Sequence, residues 1–359
     1  MVCVVSGGTV DITIHEVSND GSLRELCPAS GGPWGGTTVD LAFLDFLQSI
    51  TGTNVMEHFR KECQDDFVYL LREFEVQKRM VSPSLDARTT YRIPISLFDI
   101  FRDMEDKEFK DVVRERREFV EQVSFIRDKM RLEPITAKRF FKDTIEKIVD
   151  HLKHLFSDSK AGEASSILMV GGFSESQMLF DAVLKAFPEK RVIMPSEAGL
   201  AVLKGAVIFA HNSSLIKSKI AKHTYGLTVY KDFDPKEHPK EKMVLNEDGR
   251  KQARGCFDKL VEIGQSVSPE TPAATKSYVP TQSHPSFCVK LFASPEPNPM
   301  FVDDPGCVAI GEMSVDCRDR KGNIGSASVS LLFGGTELMV HAVHNKTGEE
   351  TKACFDFLQ

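Results

Sequence analysis

Val4-Val5-Ser6-Gly7-Gly8-Thr9-Val10-Asp11 and, about 160 residues later, Met169-Val170-Gly171-Gly172-Phe173-Ser174-Glu175-Ser176 are the two stretches on which the reading of this chain depends. Each sets a glycine pair directly after a short apolar run that reads as a buried strand, and the second leads into a helical pattern. Glycine lets the backbone turn sharply and bring bare N–H groups against an anion, which is how a chain cradles phosphate with no side chain in the way. Taken singly, either pair is ordinary turn punctuation. Two such turns together point to a nucleotide cleft.

A third element lies between them. Residues 71–82, Leu-Arg-Glu-Phe-Glu-Val-Gln-Lys-Arg-Met-Val-Ser, read as helix and place Glu75, Lys78 and Ser82 at i, i+3 and i+7, along one face. A carboxylate, an ammonium and a hydroxyl on one stripe suit a ribose and an adenine. On spacing alone, the solvated face of an amphipathic helix is the better explanation.

The chain changes texture near residue 220. Before it, strands at 2–5, 10–17 and 167–170 alternate with helical patterns at 39–49, 67–81, 136–156 and 176–187, which predicts an α/β architecture. Thr136, just after Pro134, reads as the cap of its helix, and the stripe Phe140, Phe141, Ile145, Ile148, Val149 and Leu152 reads as core. Residues 83–133 are crowded with both charge signs and read as an outer subdomain. After residue 220, runs at 227–230, 287–292, 308–315, 327–333 and 338–343 read as strands of a β-sandwich, with Arg320-Lys321-Gly322-Asn323 as a turn. The Pro-, Ser- and Thr-rich stretch 265–286 reads as an exposed loop.

Composition narrows the function classes. The 359 residues are 41% hydrophobic and 27% charged, an ordinary soluble globular balance with material for two domains. A net charge of −7 without a long basic run argues against nucleic acid. No apolar run approaches ~20 residues, which argues against a membrane span. The eight cysteines show no metal-binding spacing, and without a leader pattern they are expected as free, buried thiols in a reducing compartment. His151 with His154, and His341 with His344, have spacings that could join a metal site but lack a third ligand, so packing or surface roles are expected and no metal site is assigned.

The order of Gly-Gly-Thr-Val-Asp (7–11), the Gly-Gly-Pro-Trp-Gly-Gly turn with Asp40, Glu-x-x-Lys-Arg-x-x-Ser (75–82), Val-Gly-Gly-Phe-Ser-Glu-Ser (170–176) and Pro-x-Glu-Ala-Gly-Leu-Ala-Val-Leu-Lys-Gly-Ala-Val (195–207) resembles the second half of the ATPase domain of heat-shock 70-kDa chaperones. It is more closely similar to the divergent 12A/12B branch. Thr224 to Gly226 and the run from Glu337 to Gly348 extend the match over nearly the whole chain. The resemblance implies an α/β actin-like ATPase half-domain (lobe II) at 1–220, with 83–133 as the flap over the adenine side, followed by a β-sandwich-like, substrate-binding-like domain at 221–359. It implies that Gly7, Gly8 and Thr9 form the second phosphate loop. Glu75, Lys78 and Ser82 would face ribose and adenine, and Gly171 with Gly172 would pack under the adenosine. ATP or ADP is the implied cofactor, with magnesium beside it, the cytoplasm the implied location, and protein or peptide clients the implied partners.

Departures from the family's pattern set further expectations. Val4 stands where the second phosphate loop begins with a metal-side aspartate, Ser6 where a third glycine sits, and Glu175 where an adenine-stacking arginine sits. Valine offers neither a metal ligand nor a proton acceptor. The family's preceding lobe, with the first phosphate loop and the catalytic lysine, is expected to be missing from a chain that begins at Met1. Losing two such contributions of ~3 kcal/mol each would slow phosphoryl transfer about 10^4-fold. Weak nucleotide binding with negligible hydrolysis is therefore expected, along with self-association through apolar surface left uncovered. A non-enzymatic interaction module on the same scaffold, or a fragment of a longer chaperone-like ATPase, is the alternative. A sugar kinase of actin-like architecture would not explain the region after residue 220.

Overall fold

The computed structural model describes residues 1–280, 284–319, 321–334 and 337–356. By internal contacts it divides into two units, Met1–Thr13 with Ser30–Val207, and Ile14–Ala29 with Ile208–Gln359.

In the first unit β1 (Val2–Val5) buries Cys3 and Val5 and pairs antiparallel with β2 (Val10–Val17), Val5 opposite Val10 and Val2 opposite Thr13. β3 (Leu23–Gly32) follows, a strand the sequence reading did not place. α1 (Thr37–Thr51) forms because Val39, Phe43, Phe46, Leu47 and Ile50 recur at helical spacing and are buried, and Gly52, at φ 90°, ends it. α2 (Thr53–Glu62) and α3 (Gln64–Lys78) come next. The buried stripe of α3 is Leu70, Phe74 and Lys78, so a lysine occupies a core position. Phe43 stacks on Phe74 at 4.1 Å between ring centroids and lies 5.6 Å from Tyr91, which joins α1, α3 and the following strand in one aromatic core.

That strand, β4 (Thr89–Arg92), opens a small layer with α4 (Ile95–Glu105), α5 (Phe109–Glu115), α6 (Arg117–Val120), β5 (Val123–Ile126) and β6 (Lys129–Leu132). Its antiparallel strands run in the order β4-β6-β5. The Phe109 ring lies 4.6 Å from Phe98, 4.7 Å from Phe101 and 5.2 Å from Phe125. A segment that reads as a run of mixed charges thus encloses an aromatic core of its own.

α7 (Pro134–Arg139) and α8 (Lys142–Phe156) replace the single expected helix. Thr136 is not its cap. Proline, lacking an N–H, suits the first turn, so Pro134 takes that place after Glu133, and Thr136 sits buried inside it with no partner for its hydroxyl among the described residues. α9 (Ser159–Gly162), β7 (Ser166–Val170), α10 (Gln177–Ala186), β8 (Arg191–Ile193) and α11 (Ala198–His211) complete the element order. β7 runs parallel to β1, giving the strand order β2-β1-β7-β8. The apolar run of α11 is open to solvent, with Leu200, Leu203 and Val207 all exposed and Ala198 its buried residue.

In the second unit β9 (Ile216–Ile220) runs parallel to β3, and its Ile220 N–H donates to the Glu25 carboxylate at 2.7 Å. Two antiparallel sheets follow. One joins β10 (Thr224–Asp232), β11 (Met243–Leu245) and β12 (Lys251–Val261) to later strands, while the short β13 (Ser266–Val267) pairs with β9. β14 (Ala274–Tyr278), β15 (Ser286–Ser294), β16 (Val308–Asp316), β17 (Ala327–Phe333), β18 (Glu337–His344) and β19 (Glu350–Asp356) complete the sheets, ordered β11-β12-β10-β15-β16 and β14-β17-β18-β19. Tyr225, Leu227, Leu291 and Val315 from one sheet share a core with Val329, Leu331, Phe333 and Val340 from the other. The stretch 265–286 is not wholly loop. Ala274 to Tyr278 pair residue by residue with β17, while 281–283 lie outside the described residues.

The turn expected at 320–323 is organised by the residue before it, and Arg320 itself lies outside the described residues. The Asp319 carboxylate accepts from the Lys346 ammonium at 2.7 Å, the Asn323 amide at 3.1 Å, and the backbone N–H groups of Asn323 and Lys321 at 2.9 Å each. Those hydrogen bonds, led by Lys346, hold its carboxyl well below the usual carboxylate range. A depressed acid adds stability that is complete above its unfolded pKa and is lost as pH falls through the folded value. Unfolding in urea between about pH 5 and about pH 2 is therefore expected to show an acid limb that Asp319→Asn flattens. An identical limb in both proteins would refute this assignment.

Candidate functional site

The first glycine turn is shaped by a helix that needs it. Ser6 closes the turn, donating its N–H to the Thr9 carbonyl at 2.9 Å while its hydroxyl oxygen accepts the Thr9 N–H at 3.1 Å. The first N–H groups of α1 have no intrahelical acceptor, and no side chain caps them. The loop carbonyls take that role for the helix start: Gly36 donates to Ser6 at 3.1 Å, Thr37 to Gly7 at 2.8 Å, and Gly35 just ahead of them to Gly8 at 3.2 Å. With the carbonyls turned to the helix, the N–H groups of Gly7 and Gly8 meet no acceptor among the described residues, and both glycines are exposed. Thr9 is turned back on the loop, its hydroxyl donating to Asp11 at 3.0 Å.

The second turn follows β7. Gly171 has φ 92° and ψ 160°, donates to the Ala198 carbonyl at 2.8 Å, and lies so close to β1 that a Cβ would stand 2.4 Å from the Val5 carbonyl oxygen. Gly172 begins a single 3-10 turn (Gly172–Glu175), and a Cβ there would meet open space.

Between the turns lies a cleft of about 380 Å³. Gly7, Gly36, Thr37 and Gly172 form its backbone edge, and Phe141 and Phe173, stacked at 6.4 Å, contribute apolar surface. The remaining wall carries Asp40, Glu75, Lys78, Arg79, Glu175 and Ser176. The structure thus brings Gly7, Glu75, Lys78 and Gly172 together on one cleft. Gly8 and Gly171 adjoin lining residues in the chain, and Thr9 and Ser82 do not line the cleft. α3 ends at Lys78, and Pro83 disfavours helical geometry at Ser82 just before it, so Ser82 lies off the stripe.

Lys78 is 7% exposed and lies between two carboxylates, 2.6 Å from Asp40 and 2.5 Å from Glu75. Arg79, at the rim, pairs with the other oxygen of Glu75 at 2.9 Å. Burial pushes the Asp40 carboxyl up, with Lys78 opposing and Glu75 adding to the rise. Burial acts upward on Glu75 too, yet its hydrogen bonds from Lys78 and Arg79 prevail and hold its carboxyl below the ordinary value. Glu175 accepts the Gly199 N–H at 3.2 Å. Spacing along the chain missed this role for Asp40, and its signal was the lysine on a buried helical stripe, since a buried ammonium requires a carboxylate nearby.

Other candidates resolve elsewhere. Among the described residues no group of three or more His, Cys, Asp or Glu is placed to hold a metal ion. His344 is a buried packing residue, one ring nitrogen 3.0 Å from the Cys317 carbonyl and the other accepting the Lys346 and Thr347 N–H groups. Among the described residues no disulfide joins the cysteines, and not all are buried as expected, because Cys288 and Cys354 fall on solvent-facing strand positions. No helix among the described residues is long and apolar enough to cross a membrane.

Comparison with known proteins agrees with the resemblance to the 12A/12B branch. No family model matches the chain. Over 360 residues, 98% of the chain, it is 32% identical to heat shock 70 kDa protein 12A of Mus musculus and 31% identical to that of Homo sapiens. Over 375 residues it is 30% identical to heat shock 70 kDa protein 12B of Homo sapiens. The chain is a heat shock 70 kDa protein 12A/12B-like sequence. It spans about half the length of these curated relatives, 53% to 54%. Among solved structures, the activator of the 2-hydroxyisocaproyl-CoA dehydratase from Clostridium difficile with bound ADPNP matches at a TM-score of 0.29 and 10% identity, over 59% of this chain and 60% of that one.

Proposed function

We propose that the first unit is the second lobe of an actin-like nucleotide-binding domain and that its cleft binds ATP or ADP weakly, with little hydrolysis by this chain alone. The observation that carries the reading is the pair of glycine turns on one cleft, the first with N–H groups free to meet phosphate oxygens. The colinear motifs of the 12A/12B-like sequence support it, as does a cleft volume within the usual range of small-molecule sites. Gly7 and Gly8 would hold phosphate, with Thr9 keeping the loop in shape, and Gly171 and Gly172 would lie under the adenosine. Glu75 and Lys78 would form the wall beside it. ATP would supply the transferable phosphoryl group, and its magnesium the charge neutralisation.

Little turnover follows from Val4, whose side chain offers neither metal ligand nor proton acceptor at the start of the loop. The same residue favours a second reading, a non-enzymatic interaction module whose cleft senses nucleotide without consuming it. Free thiols fit a cytoplasmic setting for either. Titration with a fluorescent ATP analogue is expected to give a dissociation constant weaker than about 1 µM, and single-turnover assays no measurable phosphate release. Absence of binding at millimolar nucleotide would overturn the first reading, and turnover matching an intact chaperone would overturn both.

A further inference from the structure

We infer that Lys78 serves the nucleotide without touching it: it is a positioning residue that holds the Ser6–Gly8 loop in its phosphate-facing shape through the first turn of α1. This deepens the nucleotide reading above and rests on it. An ammonium has three N–H donors. At Lys78 all three have acceptors: Asp40 at 2.6 Å, Glu75 at 2.5 Å and the Gly36 carbonyl at 3.3 Å. No donor remains for a ribose hydroxyl. The side chain is buried at the end of the stripe Leu70, Phe74, Lys78, so it does not swing out at little cost.

Gly36 belongs to both ends of the connection. Its carbonyl accepts from Lys78 while its N–H donates to Ser6, and the neighbouring N–H groups of Gly35 and Thr37 hold the carbonyls of Gly8 and Gly7. Asp40, in the first turn of the same helix, takes the stronger, charge-assisted bond. Lysine on α3 therefore fixes the start of α1, and the start of α1 fixes which way the loop amides point. By resemblance Lys78 would face ribose and adenine; its hydrogen bonds to Asp40 and to the Gly36 carbonyl run to the start of the helix that carries the loop.

Calorimetry on the full chain separates the two roles. With Lys78→Met, positioning predicts that affinity falls about tenfold, and by the same factor for ADP and for 2′,3′-dideoxy-ADP. A direct ribose ligand would lose its effect with the dideoxy nucleotide, and that result would overturn the inference. Added negative charge in the cleft could mimic the loss, so Asp40→Ala supplies the opposite sign. It makes the cleft less negative, and charge alone would tighten ADP, whereas a broken strut weakens it about tenfold. Tighter binding by Asp40→Ala would sink the proposal. Hydrogen exchange without nucleotide gives a separate readout, with the amides of Gly35, Gly36 and Thr37 expected to exchange about tenfold faster in both variants. If wild type binds no ADP, the nucleotide reading fails, while unchanged exchange at these three amides shows on its own that Lys78 does not hold the loop.

Discussion

Gly171→Ala is expected to lower the free energy of unfolding by about 2–6 kcal/mol, a large part of the stability of an ordinary domain. Two costs add. The backbone at φ 92°, ψ 160° lies in a region open essentially to glycine, which costs a residue with a Cβ about 1–3 kcal/mol. The new methyl would also stand 2.4 Å from the Val5 carbonyl oxygen and 2.8 Å from its carbon. Those atoms belong to β1, held by β2 on one side and β7 on the other, so relief requires shifting a central strand, at roughly 1–3 kcal/mol. Gly172→Ala is the control, because nothing lies within 4 Å of a Cβ there, and the expected change is under about 1 kcal/mol. Urea unfolding of the pair measures the difference. Equal midpoints would show that the second turn does not depend on its first glycine.

The largest effect on ligand binding is expected from Gly35→Ala. A Cβ at this position would lie 2.4 Å from the Gly7 carbonyl oxygen and 2.6 Å from the carbonyl carbons of Gly7 and Gly8. Here the obstacle is the exposed loop, not a strand, and the loop is the part that gives way. Stability is expected to fall by only about 1–3 kcal/mol. Binding of ADP is expected to fall about 10- to 100-fold, since the amides that would meet phosphate move with their carbonyls. Gly7→Ala separates crowding against the helix from crowding at the ligand, because its Cβ points into open space. Calorimetry with ADP checks both, and an unchanged affinity in Gly35→Ala would mean that phosphate is held elsewhere.

The two substitutions also show how much could be read in advance. Both glycine turns stand out in the chain, and so do β1 and β7, because a short apolar run followed by paired glycines is a local signal, and β2, whose Val10, Ile12 and Ile14 alternate with polar residues. The stripes of α1 and α10 are local in the same way. β3 and β12 are not legible, since such strands are defined by the neighbours they pair with and not by a regular alternation of their own, whereas β19 does alternate, with Thr351, Ala353 and Phe355 on its half-buried face. Ser82 was placed one turn too far along its helix although Pro83 beside it carried the stop signal. At Thr136 a capping residue was assigned where Pro134 already began the helix.

By itself the sequence determined where the backbone must turn without a side chain, which faces of its helices seek a core, and the order of motifs that makes the chain 12A/12B-like. Tertiary structure alone decided that Lys78 lies between Asp40 and Glu75, that the loop carbonyls cap α1, and that the charged segment from residue 83 to 133 encloses packed phenylalanines. The division has a physical reason. Torsional freedom and hydrophobic period are properties of a few adjacent residues, whereas an ammonium's partners are fixed only when burial makes an unpaired charge too costly, and those partners can come from any part of the chain.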